Sequence, residues 1–293
     1  MTLTGNTYGA EVYPEEWVTK LQERLSEQTI WKDICDVRYT NTRILHNPYM
    51  TDATAQSITR DQAYTHQAVV VTDDDVTIST GYILPQYIDR ADLAQCDLVS
   101  MMSLADSQGV LLNEVLETAV LGAYSQGTDF GLYDITGTGA TTDQITVSSS
   151  NIDDIIRAMK RKIRTANGSA LMERNGMFIV WRPADFELLE AFVQANGFNS
   201  ADYALRNGTK QGLPYMGVDH FSSNKLTANH LVGGVKKAIT LGILKGTYGQ
   251  IVIDNEPATA DGAVSAIAVV SRVDYAVKVW SKLSTVLYDI NVA

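Results

Sequence analysis

Residues 89–127, DRADLAQCDLVSMMSLADSQGVLLNEVLETAVLGAYSQG, predict one long helix that the rest of the chain is organised around. Asp89 can cap its start, and no proline occurs between Pro85 and Pro183 to break it. A helix of roughly 35 residues spans about 50 Å. Two interpretations are open: a core helix of an ordinary α/β domain, or a spine on which several segments rest. The flanking segments favour the spine. Apolar residues recur along it at spacings of three and four, at Leu98, Met101, Met102, Ala105, Leu112, Val115, Leu116, Ala119 and Val120.

The composition is that of a folded globular protein. The chain has 293 residues, 45% of them hydrophobic and 19% charged, which is enough for one large domain or two. A net charge of −11 argues against generic binding of nucleic acid or anionic membranes over the whole surface. Cys35 and Cys96 fit no metal or redox spacing. The N-terminus lacks the features of a signal peptide and no run reaches 18 apolar residues, so we expect folding in a cytosol.

The N-terminal part has little apolar sequence of its own. Residues 14–34 predict an amphipathic helix that begins at Pro14 and carries the apolar stripe Trp17, Leu21 and Leu25. This stripe can pack on the parent core or on a neighbouring subunit, and both interpretations are open. Residues 36–58 lack clear periodicity. We therefore interpret 1–58 as an N-terminal arm.

The stretch 66–84 predicts a β-hairpin. Its β-branched runs 69–72 and 76–80 are joined by three aspartates, which would form a charged tip about 25 Å from the base. The aspartates lack the ligand spacing of an EF-hand loop, which leaves a solvated turn or a contact with basic groups on a neighbour. The inter-subunit contact candidates here are Val70, Asp73, Asp74, Asp75, Val76 and Ile78.

After the spine, residues 127–150 predict an exposed loop, and Asn151 is expected to cap a helix with one basic face. Two interpretations of that face are open: a solvated surface with Asp153 pairing Arg157, or a contact with nucleic acid or an acidic neighbour. Its contact candidates are Arg157, Lys160, Arg161 and Arg164. Beyond it we predict a strand at 177–181, a helix at 185–195, and strands at 215–218, 248–253, 266–272 and 275–280.

The chain offers little for catalysis. Its four histidines form no metal-binding pair. Asp219 and His220, near Ser222 and Ser223, are the residue types of a hydrolase triad, but adjacent strand residues point to opposite faces. No other nucleophile motif is present. The sequence requires no cofactor.

Three stretches in this order resemble one protein family. They are GMFIVWRPADF (176–186), GLPYM (212–216) followed by LVGG (231–234), and RVDYAVKVW (272–280). Placed after an arm, a hairpin and a spine helix, they make the chain similar to the major capsid protein of tailed double-stranded DNA bacteriophages. That fold is shared with the floor of herpesvirus capsids and with encapsulins.

The resemblance implies an α+β fold with five parts. They are an N-terminal arm (1–58), an extended β-hairpin loop (59–88), a peripheral-domain spine helix (89–129), a mixed α/β axial domain (130–245) and peripheral-domain C-terminal strands (246–293). It implies a non-enzymatic shell subunit that forms pentamers and hexamers and is assembled in the bacterial host cytoplasm into a virion capsid. The expected partners are copies of itself, packaged DNA bound without sequence specificity, portal and decoration proteins, and a separate scaffolding protein, with no membrane.

Two departures from the family qualify these expectations. Some members crosslink through a lysine in the extended loop, but here no lysine lies between Lys32 and Lys160, so we expect no crosslink. Only about 13 residues precede Pro14, so a separate scaffolding protein, or none, is expected. Two alternative functions are an encapsulin-like compartment shell and a soluble α/β hydrolase that uses Asp219 and His220.

Overall fold

The structure, a computed structural model, describes residues 29–89, 101–195, 213–248, 251–254 and 266–293. Within these ranges the helices are α1 (Trp31–Ile34), α2 (Met101–Leu121), α3 (Leu132–Thr136), α4 (Ile152–Thr165), α5 (Ser169–Asn175) and α6 (Pro183–Ala195). The strands are β1 (Asp36–Thr40), β2 (Ile44–His46), β3 (Tyr49–Met50), β4 (Val71–Thr72), β5 (Asp75–Thr77), β6 (Thr80–Asp89), β7 (Thr128–Phe130), β8 (Met177–Trp181), β9 (Leu213–Tyr215), β10 (Val218–Ser222), β11 (His230–Val235), β12 (Ile239–Leu244), β13 (Ile251–Asp254), β14 (Ala266–Val279) and β15 (Leu287–Asn291).

Helix α2 is the spine that the apolar spacing predicts, with Leu112, Leu116 and Val120 buried. Asp89 is the last residue of strand β6 and pairs with Ala266. The predicted first turns at 90–100 lie outside the described residues, so the cap at Asp89 stays a prediction.

Buried polar side chains fasten other segments to this spine. Gln108 donates to Gln86 Oε1 at 3.1 Å and to the Val269 carbonyl at 3.0 Å, while Ser271 donates to Gln108 Oε1 at 2.6 Å. One helical side chain therefore holds strands β6 and β14 together. Further along, Glu117 accepts from the backbone N–H of Ile30 at 3.1 Å, which attaches the segment before α1.

The first sheet is built on β14, which pairs with β6 along one edge and with β12 and β13 along the other. Parallel β1 lies outside β12. We predicted two strands at 266–272 and 275–280, but β14 is continuous, because β6 pairs with it without a gap from Ala266 to Tyr275. Pro85 is accommodated because β6 is an edge strand.

The second sheet has the order β7-β15-β11-β8-β10-β9. Strand β8 is buried at every position, as its apolar run MFIVW predicts. Helix α4 packs against β11, and α6 packs against β8 and β10. The predicted strand at 215–218 is instead a hairpin turn between β9 and β10, with Met216 (φ 52°) and Gly217 (φ 68°) in the left-handed region.

Sheet membership differs from the division of the chain predicted above. Strand β1, predicted in the arm, and β12, predicted in the axial part, both belong to the first sheet. Strand β15, predicted in the C-terminal peripheral part, belongs to the second sheet beside β11. One cluster of buried side chains runs through both sheets and the spine helix.

Two local features of the second half also differ from the sequence reading. Asn151 precedes α4, but its side chain makes no capping bond there and instead accepts from the Ser148 N–H at 2.9 Å. The predicted loop 127–150 contains strand β7 and helix α3. Strand β7 forms because β15, which arrives from the far end of the chain, offers it a parallel edge.

Candidate assembly surface

Residues 41–79 form one long hairpin, called here the extended loop, which leaves the first sheet after β1 and returns at β6. Its two arms pair as β2 with β5 and as β3 with β4. The predicted hairpin between 69–72 and 76–80 is therefore wrong, because β4 and β5 lie on the same arm and both pair with 44–50. The first arm of the loop falls within the segment that was interpreted as part of the N-terminal arm.

Beyond β3 and β4, glutamine side chains take over the pairing of the two arms. Gln67 accepts from the Thr54 N–H at 2.9 Å and donates to the Thr54 carbonyl at 3.1 Å. Gln56 does the same with Thr65, at 3.1 and 2.9 Å. The turn at 59–62 closes the loop with a hydrogen bond from the Gln62 N–H to the Thr59 carbonyl. The tip is therefore at 59–62, and about eight extended residues reach up to about 26 Å from Asp52 towards it.

The base of the loop is bonded to the end of β14 and to the chain that follows it. Asp74 is buried and accepts from the Ser281 N–H at 2.7 Å, and Lys278 Nζ lies 3.2 Å from its other oxygen. Lys282 pairs with Asp52 at 2.7 Å. The aspartate triplet thus lies at the base of the loop. The prediction that it forms a charged tip is wrong, because Asp74 is paired with Ser281 and Lys278.

Burial of apolar side chains also fixes the base. Ile78 is buried, and Ile78 and Leu45 both pack over Gly242 of β12. A Cβ atom at Gly242 would lie 2.5 Å from Leu45 Cδ1. The loop therefore joins the body through a close, apolar contact as well as through ion pairs.

The outer part of the loop carries apolar side chains that the described residues of this chain leave exposed. Val69 is 73% exposed, and a patch of such residues is typical of a surface that a partner covers. The exposed apolar residues of the loop are Met50, Ile58, Tyr64, Val69, Val70 and Val71.

A second exposed apolar patch lies on the face of the first sheet opposite the spine helix. Gln86 bonds to the spine, so Ile83 and Tyr87, an odd number of residues away, point to the other face. Val252 lies on that face too, because its partner Val270 alternates with Ser271, which bonds to the spine. Ile83, Tyr87 and Val252 are all more than half exposed.

The basic face of α4 is bonded mainly within the chain. Arg157 pairs with Asp153 at 3.0 Å, as predicted, and with Asp154 at 2.6 Å. Lys160 donates to the Met216 carbonyl, and burial together with nearby Arg164 lowers the Lys160 pKa. Arg161 donates to the Asp134 carbonyl, whereas Arg164 is exposed. The interpretation as a structural, partly solvated face therefore fits best.

The sequence-predicted contact residues are not brought into one surface. Trp17, Leu21 and Leu25 lie outside the described residues. In the loop, Val70, Asp73 and Asp75 are exposed and Val76 is half-buried, but Asp74 and Ile78 are buried. The anchors at Lys278, Ser281 and Lys282 were missed, because no local pattern links them to the loop. The paired glutamines Gln56 and Gln67 also escaped notice, since glutamine in a polar stretch gives no strand signal.

The residues considered for a hydrolase have structural roles. His220 Nδ1 accepts from the Trp181 indole N–H at 2.9 Å, which leaves the proton on Nε2 to donate to the Tyr215 carbonyl at 3.2 Å. Burial lowers the His220 pKa to about 4, so the ring is neutral. Asp219 pairs with Lys236. Both ring nitrogens of His220 are therefore occupied, and neither is positioned to activate a serine.

Two kinds of feature are absent from the described ranges. They contain no cluster of three or more histidine, cysteine or acidic side chains placed to hold a metal ion. They also contain no helix with the length and hydropathy of a membrane span.

Known proteins match this chain in structure. No family model and no curated protein matches its sequence. A structure from Mycobacterium phage Che8 gives a TM-score of 0.70 at 16% identity, over 96% of this chain and 98% of that chain. The mature capsid of bacteriophage PhiM1 gives 0.65 at 14% identity, over 96% and 92%. The capsid of Ralstonia phage GP4 gives 0.64 at 11% identity, over 100% and 99%. The chain therefore has the α+β fold of the major capsid proteins of tailed bacteriophages.

Proposed function

We propose that this protein is the major capsid protein of a tailed bacteriophage, a structural subunit that assembles in many copies into an icosahedral shell around double-stranded DNA. The observation that carries the proposal is the match of fold over nearly the whole of this chain and nearly the whole of the matched phage chains. A match of this extent leaves little of either chain for a different architecture.

The contacts that would drive assembly are those of the extended loop. It projects from the first sheet and exposes apolar residues such as Val69, Val71 and Tyr64 that its own chain does not cover within the described residues. The first sheet exposes a separate apolar patch at Ile83, Tyr87 and Val252. Two different patches on one chain suit a heterologous contact, in which the loop of each copy lies across the sheet of the next, and such contacts close into rings.

The finer features of the shell belong to the same proposal. Pentamers and hexamers would form the shell, with the extended loop (41–79) reaching a neighbour and 130–245 supplying most of the region around the capsomer axes. A separate scaffolding protein, a portal and decoration proteins would take part, and assembly would occur in the bacterial host cytoplasm. No lysine lies in the extended loop, so the shell would lack a lysine crosslink there. The acidic charge of −11 suits DNA that is packed without attachment to the wall.

The proposal is tested by expressing the full-length chain and examining it by negative-stain microscopy and sedimentation. We expect closed shells or capsomer-sized rings. Nucleic acid inside particles would support a phage shell, whereas a protein cargo would favour a compartment of the encapsulin kind. A compact monomer at every concentration and salt, also when the other virion proteins are co-expressed, would contradict the proposal.

A pair of loop variants tests the contact. Val69→Asp with Val71→Asp places two charges on one face of the arm, where we expect assembly to be lost and the subunit fold to be kept, because both side chains are exposed. Ser57→Asp is the matched control, since it adds charge at an exposed polar position of the same loop. Normal shells from the double valine variant would refute the role of the loop.

A further inference from the structure

A cavity of ≈ 360 Å³ lies where the two sheets meet, and the shell function does not account for it. Its walls come from β1, from α5, from the turn between β11 and β12, and from the chain that follows β14. It thus contacts elements of both sheets at once. A ligand held here would join parts of the fold that are far apart in sequence.

The charged groups around the cavity are mainly basic. Arg38, Arg174, Lys236 and Lys237 line it against one acidic residue, Asp36. Arg38 is bonded to Asp36 at 2.9 Å, and Lys236 pairs with Asp219 outside the lining. Among the residues that the structure describes, Arg174 and Lys237 have no acidic partner. Both side chains are exposed, so they can contact an anion that enters from solvent.

The backbone holds Lys237 in an unusual conformation. Its φ is 65°, in the left-handed region that costs non-glycine residues energy. The Lys237 N–H donates to the Ile34 carbonyl at 2.7 Å, and the Lys236 N–H donates to the Gly176 carbonyl at 3.1 Å, so the turn is held from two sides. Glycine would fit this position with less strain. The chain carries a lysine there, and its side chain is exposed beside the cavity.

The cavity wall also contains a buried donor. Trp280 lines the cavity and is 4% exposed, and its indole N–H has no hydrogen-bond partner within the described residues. Buried donors are rarely left unpaired, because an unmade hydrogen bond costs about 1–3 kcal/mol. The nitrogen itself is shielded from solvent, so an anion in the cavity meets the exposed cations and not this N–H.

We propose that this cavity binds a small anion with phosphate-type oxygen atoms, held by Arg174 and Lys237, and that the bound anion stabilises the junction of the two sheets. Guanidinium and ammonium groups form charge-assisted hydrogen bonds with such oxygens, and these are stronger than bonds between neutral groups. Binding to the folded state alone raises thermal stability with ligand concentration. The same chemistry fits a carboxylate that a second copy presents, and the test separates these two sources.

The test is calorimetric titration of inorganic phosphate into the full-length chain, with melting curves at constant ionic strength set by NaCl. We expect saturable binding and a melting temperature that rises with phosphate. Lys237→Gly and Arg174→Gln should each weaken binding roughly tenfold. Lys237→Gly should fold at least as well as the parent chain, because it relieves backbone strain. Lys245→Gln, which removes an exposed charge outside the cavity, is the matched control and should bind phosphate as the parent does.

Three results decide the matter. Phosphate that binds both dissociated subunits and assembled shells, with the losses above, supports a free anion. Phosphate that binds only dissociated subunits, with assembly weakened by Lys237→Gly and Arg174→Gln but not by Lys245→Gln, assigns the cavity to a carboxylate of a neighbouring copy. No saturable binding in either form, or equal loss in Lys245→Gln, overturns the proposal. None of these readouts depends on what the shell encloses.

Discussion

Asp74 in the extended loop accepts a hydrogen bond at 2.7 Å from the backbone N–H of Ser281, which lies 207 residues further along the chain. Lys278 Nζ adds an ion pair at 3.2 Å. The carboxylate is buried, so both interactions act with little competition from water. This contact fixes the direction in which the loop leaves the body, and with it the position of every apolar residue that the loop presents.

Asp74→Asn should lower the free energy of unfolding by about 1–3 kcal/mol, because it weakens a buried hydrogen bond and removes the ion pair. Chemical denaturation measures this, and hydrogen exchange should rise at 41–50 and 70–78. The control is Asp75→Asn, at an exposed aspartate next to it, which should change stability by less than about 0.5 kcal/mol. Equal effects of the two substitutions would contradict the anchoring role.

The contribution of Asp74 should also depend on pH. Burial alone would raise the Asp74 pKa, but the bonds from Ser281 and Lys278 bring it below its usual value. The stabilisation is therefore complete above the pKa of the unfolded chain and disappears as pH falls through the lower pKa of the folded state. The stability gap between the parent chain and Asp74→Asn should shrink in acid, and a gap that stays constant down to pH 2 would argue against this assignment.

Gln56 and Gln67 should order the outer half of the loop. Replacing both with alanine removes four hydrogen bonds between the arms, so limited proteolysis should cut 52–69 faster while the melting temperature of the body changes little. Gln67→Glu alone keeps the acceptor for the Thr54 N–H but loses the donor to the Thr54 carbonyl, so its effect should be intermediate. Unchanged cleavage in the double alanine variant would show that the pairs carry no order.

Gly234→Ala should destabilise the second sheet. Gly234 has φ 158°, and a Cβ atom there would lie 2.4 Å from the Val286 carbonyl oxygen, so β11 and β15 would have to separate. We expect a loss of roughly 2 kcal/mol or more. Gly109→Ala in the spine helix is the opposite case, because its Cβ meets nothing within 4 Å, and it should stabilise the protein by about 0.5–1 kcal/mol. Denaturation curves that rank the two alike would refute the packing argument.

His220 should weaken the fold between neutral and mildly acidic pH. Burial lowers its pKa to about 4, from 6.5 in a free histidine, so the unfolded chain binds the extra proton first. Its contribution to stability is therefore complete above about pH 6.5 and is lost progressively as pH falls towards 4. His220→Gln can keep both hydrogen bonds without titrating, and it should flatten this part of the stability curve. An NMR titration that places the ring pKa near 6.5 would contradict the prediction.

Elements that are set by nearby residues could be predicted from the sequence. The run MFIVW predicted the buried strand β8, because five consecutive apolar residues place apolar side chains on both faces of a strand. The apolar residues on one side and the basic residues on the other predicted the amphipathic helix α4 together with its Asp153–Arg157 pair. The order of such elements was also enough for the resemblance to phage capsid proteins, whose fold the structure shares.

Strand pairing was the part that local patterns could not provide. The β-branched runs on either side of the three aspartates looked like partners because they are adjacent, yet each pairs with 44–50. No residue near Asp89 in the sequence indicated that it pairs with Ala266 in the first sheet.

The sequence by itself determined which segments are apolar, that the longer helices α2, α4 and α6 form, and in what order they come, because those properties depend on neighbours within a few residues. Only the tertiary structure decided that β12 belongs to the first sheet and β15 to the second. It also decided that Asp74 anchors the extended loop and that Arg174 and Lys237 line one cavity. The physical reason is that a strand edge or a buried charge forms hydrogen bonds or ion pairs with the partner that gives the lowest free energy of the folded chain. That partner can lie anywhere along the chain.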